Sequence, residues 1–106
     1  MSKYLLQANY VGDGIAGLMK DGGTKRKAAA DAAVESFGGS IDSFYYAFGD
    51  TDAFVICDFP DAASAAAASL LVNSSGAVTA KLTPLMTVED LDAAAQKSGS
   101  YTPPGA

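Results

Sequence analysis

The sequence predicts an α+β domain built on one four-stranded antiparallel sheet, with elements in the order strand, helix, strand, strand, helix, strand and a short C-terminal helix. Three observations carry that reading. Four stretches have strand length and strand residues, apolar residues at helical spacing fill two of the gaps between them, and the remaining gap, Gly49-Asp50-Thr51-Asp52, is a short polar loop of hairpin type. At 106 residues, 49% of them hydrophobic, the chain makes one domain spanning 1–106 with a thin core.

Tyr4 to Val11 is the first strand and ends at the turn cluster Gly12-Asp13-Gly14. Helical spacing then begins with Ile15, Leu18 and Met19 and resumes with Ala30, Ala33, Val34 and Phe37. An unbroken helix would put Arg26 on the buried stripe, where an unpaired charge is costly, so Gly22-Gly23 is expected to split it. Thr24 would then cap the second piece, and Gly38-Gly39 would end it.

Ser40 to Phe48 and Ala53 to Phe59 are the hairpin strands. Pro60 ends the third strand, Asp61 is a good N-cap, and Ala62 to Val72 has high helix propensity and stops near Asn73-Ser74-Ser75-Gly76, with Asn73 as a helix terminator. Ala77 to Met86 is the fourth strand, and Pro84 inside it marks a sheet edge, because proline cannot donate to a ladder. Thr87 with Asp90 resembles a capping box for a helix through Gln96, and residues 98–106 are an extended tail. This order is the ferredoxin-like one, with the fourth strand at an edge and the Gly12–Gly14 and Gly49–Asp52 loops at one end of the sheet.

Composition excludes much chemistry. Seven basic against twelve acidic residues give a net charge of −5, which argues against nucleic acid as a partner. With no histidine and one cysteine, the common zinc, haem and iron–sulfur ligand sets and the histidine-dependent nucleophile arrangements are missing, so no metal or cofactor is expected. The N-terminus lacks a signal-peptide core and no apolar run reaches bilayer length, so a cytoplasmic location and no membrane partner are expected.

Two helices cover one sheet face, and the other face should then be polar. Strict alternation instead puts Phe44, Tyr46 and Phe48 on one side and Ile41, Tyr45 and Ala47 on the other, while Phe54 and Ile56 oppose Val55, Cys57 and Phe59. Both faces read as apolar, which predicts a homodimer packed sheet on sheet, with Gln7 and Asn9 as polar exceptions lining or rimming its interior.

The run Lys3 to Tyr10, the segment Gly22-Gly23-Thr24-Lys25-Arg26, the stretch Phe44 to Asp52, and Asn73-Ser74-Ser75-Gly76, with the tail Tyr101 to Gly105, together resemble the GYD domain family. The resemblance implies a fold of the dimeric α/β barrel type, found in small bacterial and archaeal proteins of unestablished function. Where the Gly-Tyr-Asp signature would stand, this chain reads Gly49-Asp50-Thr51-Asp52, without the tyrosine.

Asp50 and Asp52 could serve in acid–base work, and equally suit a turn, where aspartate bonds nearby amides. Lys25, Arg26 and Lys27 crowd a helix start that is already positive, so something negative should sit nearby: an anionic ligand on Arg26, an acidic loop such as Asp50–Asp52, or a second subunit. Tyr10, Tyr45 and Tyr46 could polarise a bound carbonyl or pack in a core or interface. Cys57 reads as a small buried hydrophobe, and the sequon at Asn73 as coincidence.

Two functions follow. The first is binding of a small organic or anionic ligand at or near the inter-subunit sheet cavity through Gln7, Asn9, Tyr10, Arg26 and Tyr46. The alternative is a cofactor-independent enzyme, of isomerase or monooxygenase type, using Asp50 or Asp52 as base with Arg26 or a tyrosine such as Tyr45 stabilising an oxyanion. RNA binding by the same strand order would need basic surface aromatics, and the acidic charge opposes it.

Overall fold

The computed structural model describes residues 1–106 and has the expected order of elements: β1 (Ser2–Tyr10), α1 (Gly14–Asp21), α2 (Gly23–Glu35), β2 (Ser40–Tyr46), β3 (Ala53–Phe59), α3 (Ala62–Ser74), β4 (Val78–Pro84) and α4 (Val88–Ala95). The strands form one antiparallel sheet in the order β2-β3-β1-β4, the ferredoxin-like arrangement with β4 at an edge. Pro84 closes β4 opposite Tyr4, where its missing N–H costs no ladder bond inside the sheet.

The helices start and stop for local reasons. The Asp61 carboxylate accepts the Ser64 amide at the start of α3, which holds its pKa below the usual aspartate value, and Thr87 and Asp90 form a reciprocal capping box on α4. Gly22, at φ 82°, separates α1 from α2 and is itself the N-cap residue; Thr24 lies inside α2 and caps nothing. Glycine is needed there because other residues rarely adopt that conformation.

The buried face of the sheet carries Tyr4, Leu6, Val55, Cys57 and Phe59, packed under Val34 of α2 and Ala65 and Ala68 of α3. Only 11 of 106 residues are buried, so the core is thin, as expected. A bulge in β2 alters one expectation. The register shift between Ile41 and Ser43 puts Ile41, opposite Cys57, and Phe44, opposite Val55, on the same buried side, where strict alternation would have separated them. Strand β2 also ends at Tyr46, not Phe48: Ala47 N donates to Asp52 O at 2.8 Å, and Phe48 enters the left-handed region at φ 59°.

The open face is therefore less uniformly apolar than alternation implied. Leu5, Ile56, Phe54 and Tyr45 make an apolar band across β1, β3 and β2, with Tyr45 70% exposed. Around it lie Lys3, held by Asp42 and Asp58, then Gln7, Asn9, Thr79, Lys81 and Thr83. Helix α3 ends at Ser74, within the expected Asn73–Gly76 stop, and Asn73 is its penultimate residue rather than its cap. The Asn73 side-chain amide donates to Ala80 O at 3.2 Å and accepts from Ala80 N at 2.9 Å, covering the free edge of β4. No helix is long and apolar enough to cross a membrane.

Candidate functional site

The inner faces of α2 and α3 are built largely from alanine. Ala29, Ala30 and Ala33 on α2 and Ala68 on α3 offer single methyl groups to the sheet, too short to fill the space beneath the helices. A cleft of about 140 Å³ remains between the two helices and the buried sheet face, floored by Leu6, Ala8, Phe44 and Val55. Fifteen of its sixteen lining residues are hydrophobic, and the one charged residue is Arg26.

Arg26 belongs to the first turns of α2, and its side chain remains 36% exposed on the inward stripe where the helical spacing had warned of a costly charge. Splitting the helix at Gly22 did not move it outward. Its ion partner is Asp21, at a long 3.9 Å, and the same carboxylate meets Lys25 at 3.4 Å. That carboxylate supplies the negative group demanded by a basic helix start; the Asp50–Asp52 loop does not.

Two phenols join Arg26. Tyr10, at the end of β1, lines the cleft, and Tyr46, at the end of β2, donates its hydroxyl to Gly23 O at 2.9 Å. Burial and the neighbouring Tyr10 hold the Tyr46 pKa above its usual value while Arg26 opposes them, so Tyr46 is a hydrogen-bond donor at neutral pH and not a phenolate. Phe48 stacks on Tyr46 with ring centroids 6.0 Å apart. Among the proposed ligand-binding residues, the fold thus brings Tyr10 and Arg26 to the cleft, with Tyr46 beside them but outside the lining, in the neighbouring groove of Leu18, Gly23 and Phe48.

Gln7 and Asn9 lie on the opposite, open face. Asn9 Oδ1 accepts the Asp52 amide at 3.0 Å, and Gln7 Nε2 reaches Thr51 Oγ1 at 3.5 Å. The Asp52 carboxylate accepts the Tyr10 amide at 2.9 Å, so it pins the hairpin loop to the end of β1 and brings the two loops to one end of the sheet. Asp50 stands exposed in that loop and Tyr45 is exposed on the open face. No carboxylate lines the cleft, and no three metal-ligating side chains of the histidine, cysteine or carboxylate type converge anywhere. Cys57 is fully buried beside Tyr4 O, and burial pushes its thiol up to about 11.

Sequence reasoning missed the alanine lining. Its signal is the recurrence of alanine at 29, 30 and 33 on the helical stripe that also holds Arg26, a pattern of short side chains facing a sheet.

Comparison with curated proteins and with solved structures returns no match. The GYD domain profile matches residues 4–95, from the third residue of β1 to the end of α4, and stops short of the 101–105 segment. The chain belongs to the GYD domain family.

Proposed function

We propose that the protein binds a small organic anion in the cleft between α2, α3 and the sheet, the anionic group on Arg26 and the Tyr10 hydroxyl and the apolar body among the alanines. The carrying observation is a nearly all-apolar cleft lined by a single cation, Arg26, and a single phenol, Tyr10. Pockets of this make-up, apolar with a few convergent polar groups, suit ligand binding. The volume limits the guest: a dry cavity of about 150 Å³ holds one benzene ring, so the fit is a single-ring or short-chain carboxylate. The absence of a carboxylate from the lining favours binding over base catalysis.

The same reading makes the protein a homodimer through the open sheet face. The band of Leu5, Ile56, Phe54 and Tyr45 is the kind of patch that a second copy covers, and a twofold pairing would place Gln7 and Asn9 at its rim. Light scattering should then give twice the chain mass; a monomer mass would remove this part and leave the cleft untouched.

The test of the cleft is calorimetric titration with single-ring and short-chain carboxylates. Arg26→Ala should weaken the best binder about 10- to 100-fold, the loss of a charge-assisted hydrogen bond, with Arg26→Lys falling between. No binding by any compound, or equal binding by Arg26→Ala, would overturn the reading.

A further inference from the structure

The segment after β4 leaves the domain. All residues from Leu85 to Ala106 are exposed, including Met86 (70%), Val88 (73%) and Leu91 (59%). The chain's radius of gyration is 16.9 Å where about 13 Å is usual for this length, and its longest extent is 56 Å. Its accessible surface, 6999 Å², exceeds the roughly 5,500 Å² of a compact chain of this mass by about 1,500 Å². That excess is the size of a standard protein interface. An isolated helix of eight residues is also marginal in water, and α4 has its capping box but not one buried residue to hold it.

Charge identifies the complementary surface. Val88, Leu91 and Ala95 share one face of α4, beside Glu89, Asp90 and Asp92. Four of the seven basic residues fall between Lys20 and Lys27, at the α1–α2 junction, next to the exposed apolar side chains Met19 (90%) and Phe48 (56%). Exposed Leu70 and Leu71 lie on α3, which carries no charged residue. On the open sheet face Lys3 is already held by two aspartates, which leaves Lys81 as a lone cation among polar side chains, whereas at the junction Lys20 has no acidic partner and stands beside exposed Met19.

The arm departs from the Tyr4 end of the sheet, where Leu85 N donates to Lys3 O at 2.9 Å. The α1–α2 junction sits at the other end, beside Tyr46, about 20 Å away along six residues of strand. From these observations we infer that the C-terminal arm, residues 85–106, docks on a second copy of this chain. The Val88–Leu91 face of α4 packs on Met19 and Phe48 of that copy, and the arm's acidic side chains meet its unpaired Lys20 and share its Lys25 with Asp21. This holds whatever covers the open sheet face. It also places the arm against the surface beside the Tyr46 end of the neighbouring cleft.

Two differently tagged full-length populations test it, one Leu91→Cys and the other Met19→Cys, mixed and oxidised. Both positions are exposed and Cys57 is buried, so neither fold nor background thiol interferes. Docking raises the local thiol concentration to the millimolar range, so at about 10 µM protein the mixed disulfide should exceed that from Leu91→Cys with Leu70→Cys at least tenfold. Adding Glu89→Lys and Asp92→Lys to the arm should lower the yield, and Lys20→Glu with Lys25→Glu on the partner should restore it. Equal yields at positions 19 and 70, a preference for 70, or indifference to the charge reversals would overturn the inference.

Discussion

Ala30→Leu tests the cleft through stability and binding together. Ala30 lies one turn beyond Arg26 on the same inward stripe of α2, so a leucine there extends into the space of about 140 Å³. An enclosed dry void of that size costs about 3 kcal/mol at roughly 24 cal/mol per Å³, an upper bound for a cleft that opens to solvent. Three added carbons recover about 2 kcal/mol at roughly 0.8 per buried carbon, less about 0.5–1 kcal/mol for fixing the leucine rotamer. The expected net gain is about 1–1.5 kcal/mol, which raises the melting temperature by about 5–10 °C in a domain of this size. The assay is thermal unfolding followed by circular dichroism, paired with calorimetric titration of the best carboxylate. The variant should be more stable and should lose binding, because the same volume cannot hold both leucine and guest. A melting temperature lowered by overpacking, or binding that survives, would show that the space beneath α2 is not open to a guest.

Other perturbations probe the frame that holds the cleft. A Cβ on Gly14 would run into the Ala77 backbone carbonyl, so Gly14→Ala should cost about 1–3 kcal/mol in urea unfolding; an unchanged midpoint would refute the close approach of α1 to the start of β4. Asn73→Ala strips two hydrogen bonds from the β4 edge and should cost about 1–2 kcal/mol, with faster amide exchange at Ala80. Cys57 gives a pH signature. With its folded pKa raised from 9.0 to about 11, its contribution is complete below the ordinary thiol range and is lost as pH rises from 9 towards 11. Of a full loss of about 2–3 kcal/mol at 1.4 per pKa unit, about 2 kcal/mol falls between about pH 8 and pH 10.5, and it should be missing from Cys57→Ala when unfolding is compared at those two values; parallel profiles would contradict it.

The elements were legible in the sequence where a residue type has one structural use. Pro84 implied an edge, Asp61 a helix start, and Thr87 with Asp90 a capping box; each holds that place because its hydrogen-bonding capacity fits nowhere else nearby. Features that depend on geometry between elements were not legible. The β2 bulge shifts the pairing by one residue and leaves no mark on composition, so Ile41 changed faces unannounced. Asn73 looked like a helix stop because asparagine often is one, yet its partner, Ala80, lies across a turn on the next strand. The cleft was hidden for a related reason. Alanine reads as a good helix former, and only the packed structure reveals what a methyl group fails to fill.

That distinction matters for the site. Arg26, Tyr10 and Tyr46 were all candidates, and the fold gathers them on the helix-covered side, away from the sheet face where a ligand cavity was first expected. Gln7, Asn9 and Asp52 instead tie the hairpin loop to β1, fixing the strand end from which Tyr10 reaches the cleft.

The most direct measurement is a crystal structure of the protein grown with the carboxylate that titrates most tightly. Its ring or chain should lie among Ala30, Ala33 and Phe44, with the carboxylate on the Arg26 guanidinium in place of Asp21. Density for the compound on the open sheet face, or a cleft closed by repacked side chains, would contradict it.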